Sequence, residues 1–101
     1  MPKVNVDHNS LASADEAYVQ IKTFFATDAD IRKIDPNIKL VFEDTKKTGR
    51  AESNKFTALV HVRENGQGSV VSIVVDLPLI FTPLKGKVKE TLEKKLKKYL
   101  A

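Results

Sequence analysis

Two histidines, His8 and His61, and the aspartates Asp7 and Asp76 are the side chains whose types and positions could do acid–base chemistry. The histidines fall in no metal-ligand or triad spacing, so each reads as a strand-face or surface residue. Asp7 and Asp76 lie at the ends of two candidate strands; if those strands were neighbours, the carboxylates could form a general acid–base pair. Strand-end acids in water are the plainer reading and carry more weight. The chain has no cysteine, which removes a thiol nucleophile, a zinc-thiolate site and a disulfide framework. It also has no phosphate loop, no G-x-S-x-G and no H-E-x-x-H. Catalysis is unsupported, and no metal or cofactor is expected.

What remains is charge and apolar surface. Residues 84–101 hold seven Lys against two Glu, a balance of +5, whereas residues 1–83 hold ten Lys and Arg against eleven acids. All the excess positive charge therefore sits in the last segment. Glu90 precedes Lys94 and Glu93 precedes Lys97 by one helical turn, the favourable order for surface pairs, so helix stability accounts for part of the lysine content. Lys87, Lys94 and Lys98 share one narrow face, either solvated or turned to an anionic partner. Leu79, Ile80 and Phe81 are the second oddity, because they follow Pro78 where a connection is usually polar. They either tuck under the last helix as a hydrophobic staple or form an exposed apolar tip beside a basic helix.

The elements that must position these residues follow from periodicity. "KVNVDHN" alternates as a first strand. From Ser13 the apolar residues recur at helical spacing (Ala14, Ala17, Tyr18, Ile21, Phe24, Phe25), and Ser13 with Glu16 makes a capping box. Thr27, Asp28 and Asp30 interrupt the stripe, which predicts a kink or a second short helix near Ala29. "NIKLVFED" is a second strand, and "TKKTGRAES" reads as a polar turn around Gly49. "KFTALVHVRE" and "SVVSIVVDL" are the third and fourth strands, joined by a hairpin at Asn65-Gly66. The fourth is apolar on nearly both faces, which argues for an interior strand or for a back face covered by something. Thr82 followed by Pro83 predicts the N-cap and first residue of a closing helix to about Leu100, with Leu84, Val88, Leu92, Leu96, Tyr99 and Leu100 on its buried side.

This order, β-α-β-β-β-α, predicts one α+β domain over residues 1–101: a two-layer sandwich with a four-stranded, mostly antiparallel sheet and two helices on one face. The first helix would be a crossover between strands that could lie parallel. Apolar residues on the other sheet face (Val41, Leu59, Val70, Val74) point to a homodimer or a covered edge. The Met-Pro-Lys start shows no targeting segment, and no apolar run approaches the roughly 18 residues of a membrane span, so a cytoplasmic protein is expected.

The segment "SVVSIVVDLPLIFTPLKGKVKETLEKKLKKYL" resembles the polyhydroxyalkanoic acid system family of small bacterial proteins in its apolar strand, leucine-rich Pro-containing joint, Lys85-Gly86-Lys87 step and closing amphipathic helix. "PKVNVDHNSLASADEAYVQI" is similar to that family's opening strand, polar turn and long helix, while "EDTKKTGRAESN" is longer and more charged than the family pattern. The resemblance implies no reaction. It implies an accessory role at the surface of storage-polyester granules or on a granule-associated protein, with Leu79, Ile80 and Phe81 on the apolar phase and Lys87, Lys94 and Lys98 on anionic groups. Two other readings stand beside it. The element order also matches double-stranded-RNA-binding and ribosome hibernation proteins, against which the mild charge weighs. An apolar ligand between helices and sheet, with Tyr18, Phe24 and Phe25 lining the cavity, is the third, opposed by the simpler view that these rings fill the core.

Overall fold

The structure is a computed structural model that describes residues 3–100. Its strands are β1 (Lys3–Ser10), β2 (Lys39–Glu43), β3 (Thr48–Glu52), β4 (Thr57–Asn65) and β5 (Gly68–Asp76); its helices are α1 (Ala14–Thr27), α2 (Ala29–Ile34) and α3 (Lys85–Tyr99), with a 3₁₀ turn at Leu79–Leu84. The strands form one sheet in the order β1-β5-β4-β3-β2. Every pairing is antiparallel. The α1 crossover therefore does not join parallel neighbours, because β1 pairs with the last strand instead of with β2. β5 lies between β1 and β4, the interior place that its two apolar faces predict.

The sheet has five strands where the sequence pattern predicts four. The segment expected to be a polar turn contains β3, whose inward residues are Gly49 and Ala51 and so carry no apolar alternation. Its partner explains the choice: Phe42 stands opposite Gly49, and a Cβ at Gly49 would collide with the Phe42 ring. The ring thus covers a strand position that has no side chain of its own. The β4–β5 hairpin closes through Gly66 and Gln67 with positive φ at Gly66 alone, the pattern of a type II′ turn.

α1 starts at Ser13, whose Oγ accepts the Glu16 N–H at 3.2 Å. Its buried residues Ala14, Ala17, Tyr18, Ile21, Phe24 and Phe25 face Val60, Val62, Val71 and Ile73 of the sheet's inner side. Asp28 divides α1 from α2: its N–H donates to the Phe24 carbonyl, and its carboxylate accepts the N–H groups of Asp30 and Ile31. The predicted break near Ala29 is thus a second short helix with Asp28 as its cap. The expected cap at Thr82 is different in the structure. Pro78 leads into the 3₁₀ turn, Thr82 Oγ1 donates to the Leu79 carbonyl at 2.7 Å, and α3 begins only at Lys85 without a side-chain cap. Pro83 sits inside the 3₁₀ turn, so the helix starts two residues later than its Pro signals.

α3 lies chiefly against β1. Its end is anchored by buried Leu96 and Leu100, by the Tyr99 ring 5.1 Å from that of Phe24, and by His8, whose Nε2 donates to the Leu100 carbonyl at 3.1 Å.

Candidate functional site

Proline at the start of the joint and a 3₁₀ period of three sort its side chains. In such a turn residues three apart eclipse one another, so Phe81 and Leu84 share one side while Leu79 and Ile80 point elsewhere. Leu79 is 74% exposed and Ile80 79% exposed, whereas Phe81 is half-buried against the core. The staple reading therefore holds for Phe81 alone, and the exposed-tip reading for Leu79 and Ile80. The three residues do not act as one patch.

On the inner side of Phe81 a cleft of about 520 Å³ opens between α3, α2 and the sheet. Its floor is Ala58 of β4 and Ile73 and Val75 of β5; Phe24 and Phe25 form one wall, Ile31 and Ile34 continue it, and Phe81, Leu84, Val88 and Leu92 form the cover. The cause is the set of the last helix. Leu96 is fully buried, but Val88 and Leu92 are only partly covered and Leu84 is 48% exposed, so the first turns of α3 stand away from the sheet. Volume and lining both fall within the ordinary range for small-molecule sites, about 300–1,000 Å³ with mostly apolar walls.

Phe24 and Phe25 border this cleft but are 1% and 2% exposed, so they fill the core as the simpler view has it, and Tyr18, also buried, does not line the cleft. The Tyr18 hydroxyl donates to Asp44 at 2.6 Å, and Lys22 reaches the same carboxylate at 2.9 Å. Burial, then the Asp44 hydrogen bond, pushes the Tyr18 hydroxyl up to about 12. The same Tyr18 and Lys22 hydrogen bonds hold the Asp44 carboxyl below its usual range.

Polar groups occur at the edges of the cleft. Lys95 Nζ bridges Asp28 at 3.0 Å and Asp30 at 2.6 Å, and the Tyr99 hydroxyl donates to Asp28 at 3.2 Å. The hydrogen bonds that Lys95 donates to Asp30 and Asp28 hold its ammonium well above the ordinary lysine range. Burial acts to raise the Asp28 carboxyl, but the Lys95 hydrogen bond, the Ile31 N–H and the Tyr99 hydroxyl outweigh it and leave that carboxyl below its usual value. Both acids at the edge are thus committed to one lysine. Lys55, from the β3–β4 connection, and Lys87, from the first turn of α3, line the same opening and are exposed.

The three lysines of the predicted column share the continuous helix α3 but have different neighbours. Lys87 belongs to the cleft opening, Lys94 pairs with Glu90 at 3.1 Å, and Lys98 lies 5.7 Å from the centre of the Tyr99 ring. Lys55, Phe56, Thr91 and Lys95 also line the cleft and were not singled out by sequence. Lys95 reads as one more lysine in a basic helix, and only folding brings it to Asp28.

The acid–base groups stay apart. β1 and β5 are neighbours, but Asp7 faces Ser72 and Asp76 faces Lys3, a separation of four strand residues or about 13 Å. His8 is directed to Leu100, while His61 is exposed beside Leu59 and Val74 on the opposite sheet face. Among the described residues no group of three or more His, Asp or Glu is placed to hold a metal ion, and no helix is long and apolar enough to cross a membrane.

No protein-family model and no curated protein matches the chain. Its fold is similar to that of a crystallised protein from Thermus thermophilus, TTHA0849, with a TM-score of 0.61 over 97% of this chain and 91% of that one. At 11% identity this likeness is one of fold.

Proposed function

We propose that this protein is a non-enzymatic accessory factor that adsorbs to an apolar surface through Leu79 and Ile80, the surface being that of a storage-polyester granule or its protein coat. The observation that carries the reading is the outward position of two large aliphatic side chains, each about three-quarters exposed, on a proline-led turn beside a lysine-rich helix. Covering them would contribute about 2 kcal/mol each. Near an anionic coat, Lys87, Lys94 and Lys98 would add about 1 kcal/mol apiece. The Lys94–Glu90 pair is a solvent-exposed one and does not prevent this, since such pairs are weak. The sum describes reversible adsorption that becomes firm only where many copies share one surface.

Co-sedimentation with purified polyester granules tests the reading, using wild type and Ile80→Asp after circular dichroism has shown both to be folded. Wild type should pellet, and Ile80→Asp should remain in the supernatant. A wild type that stays in solution, or a variant that pellets equally well, would overturn it.

A further inference from the structure

We propose that the cleft beneath α3 is a binding site for a single hydrocarbon chain with an anionic head, such as a fatty acid. The chain would lie against the apolar side chains of the lining that are still partly exposed, Ile34, Phe81, Leu84, Val88 and Leu92, and the head would sit between Lys55 and Lys87. This site is separate from the adsorbing turn, because Leu79 and Ile80 do not line it.

The apolar part of the argument is the lining. Floor, wall and cover are aliphatic or aromatic, so an occupant lying along them would leave any polar atom of its own without a partner. The head is selected by the unequal state of the charges. Three lysines and two aspartates line the cleft, but Asp28 and Asp30 are both held by Lys95. Lys55 and Lys87 remain. Lys55 also feels the Asp35 carboxylate, while Lys87 has no hydrogen bond or ion pair among the described residues, which makes Lys87 the stronger contact for the head. A cationic head would meet these lysines with no free carboxylate to offset them. An uncharged head would leave their attraction unused.

The test is fluorescence titration with cis-parinaric acid, followed by displacement with saturated acids of increasing length and with the matching alcohols. One equivalent of probe should bind. Affinity should rise by about fourfold for each added methylene until the cleft is full. Each acid should outcompete its alcohol by about tenfold, and Lys87→Glu should remove that preference. Thr91→Trp, a change at an exposed position on the opening, should block both. Failure of wild type to bind the probe, or binding of several equivalents indifferent to Lys87→Glu and Thr91→Trp, would overturn the proposal.

Flotation with phosphatidylglycerol vesicles separates the two sources of such a chain. Flotation that Thr91→Trp abolishes assigns the chain to a lipid; probe binding with flotation unaffected by Thr91→Trp assigns it to a free acid. Ile80→Asp should bind parinaric acid as wild type does, so loss of granule association and loss of ligand binding are read independently.

Discussion

Leu84, Val88 and Leu92 toward the start of the last helix, and Leu96 and Leu100 at its end, follow one another at four-residue steps. Leu84 is 48% exposed and Val88 and Leu92 are partly covered, yet Leu96 and Leu100 are 0% and 1% exposed. The stripe is of one kind throughout; what lies beneath it is not. The end of α3 meets β1, Phe24 and the His8 imidazole. Its beginning faces the cleft, with Ile34 of α2 across the opening and itself 46% exposed. Equal amphipathicity in sequence therefore serves two ends: one half fastens the helix, and the other leaves apolar surface for something else to cover.

The largest test of that contrast is truncation on each side. Leu96→Ala should cost about 3 kcal/mol in urea denaturation, because a fully buried leucine leaves a cavity. Leu84→Ala should cost less than about 1 kcal/mol, since much of that side chain is already in water. Equal losses would break the distinction between the two halves.

Asp28 sharpens it next, because Lys95 joins the middle of α3 to the cap of α2. Asp28→Ala removes both the cap and the lysine's buried partner and should cost about 2 kcal/mol. Asp28→Asn keeps a capping oxygen but not the charge. The folded Asp28 carboxyl titrates below its unfolded value, so its contribution is complete above about pH 4 and is lost as pH falls through the folded value. Denaturation midpoints measured from pH 6 to pH 2 should accordingly fall less steeply for Asp28→Asn than for wild type.

The smallest effect belongs to His8, which fastens the far end through one hydrogen bond to Leu100. His8→Phe should lower stability by about 1 kcal/mol and speed amide exchange in the last turn of α3. Exchange near Lys87 should not change. A variant that loosened the cleft end equally would show that the two halves move as one body.

Particular residues show how much of this was legible in sequence. Ser13 with Glu16 marked the start of α1, the polar interruption at Asp28 marked the start of α2, and Asn65-Gly66 marked the hairpin, because capping and turn chemistry are local. Val70 and Val74 on the second face of β5 pointed to an interior strand or a covered face, and the structure has it as an interior strand. β3 was hidden because Gly49 and Ala51 have too little side chain to show a period; its reason is Phe42, in another strand. Thr82-Pro83 carried a helix-start pattern that the structure does not follow: the chain winds that segment as a 3₁₀ turn, and α3 starts at Lys85.

For the site, Phe24 and Phe25 were readable as apolar wall and Lys87 as a basic residue on the helix. Their meeting was not. By itself the sequence determined which residues are apolar, where α1 and the β4–β5 hairpin begin, and that no acid–base or thiolate motif is present, because these depend on neighbours within a few residues. Only the tertiary structure decided that β1 closes on β5, that Leu79 and Ile80 turn outward while Phe81 turns in, and that half of the α3 stripe is only partly covered. Those outcomes depend on which distant surfaces come to lie under each side chain, and local periodicity does not encode that.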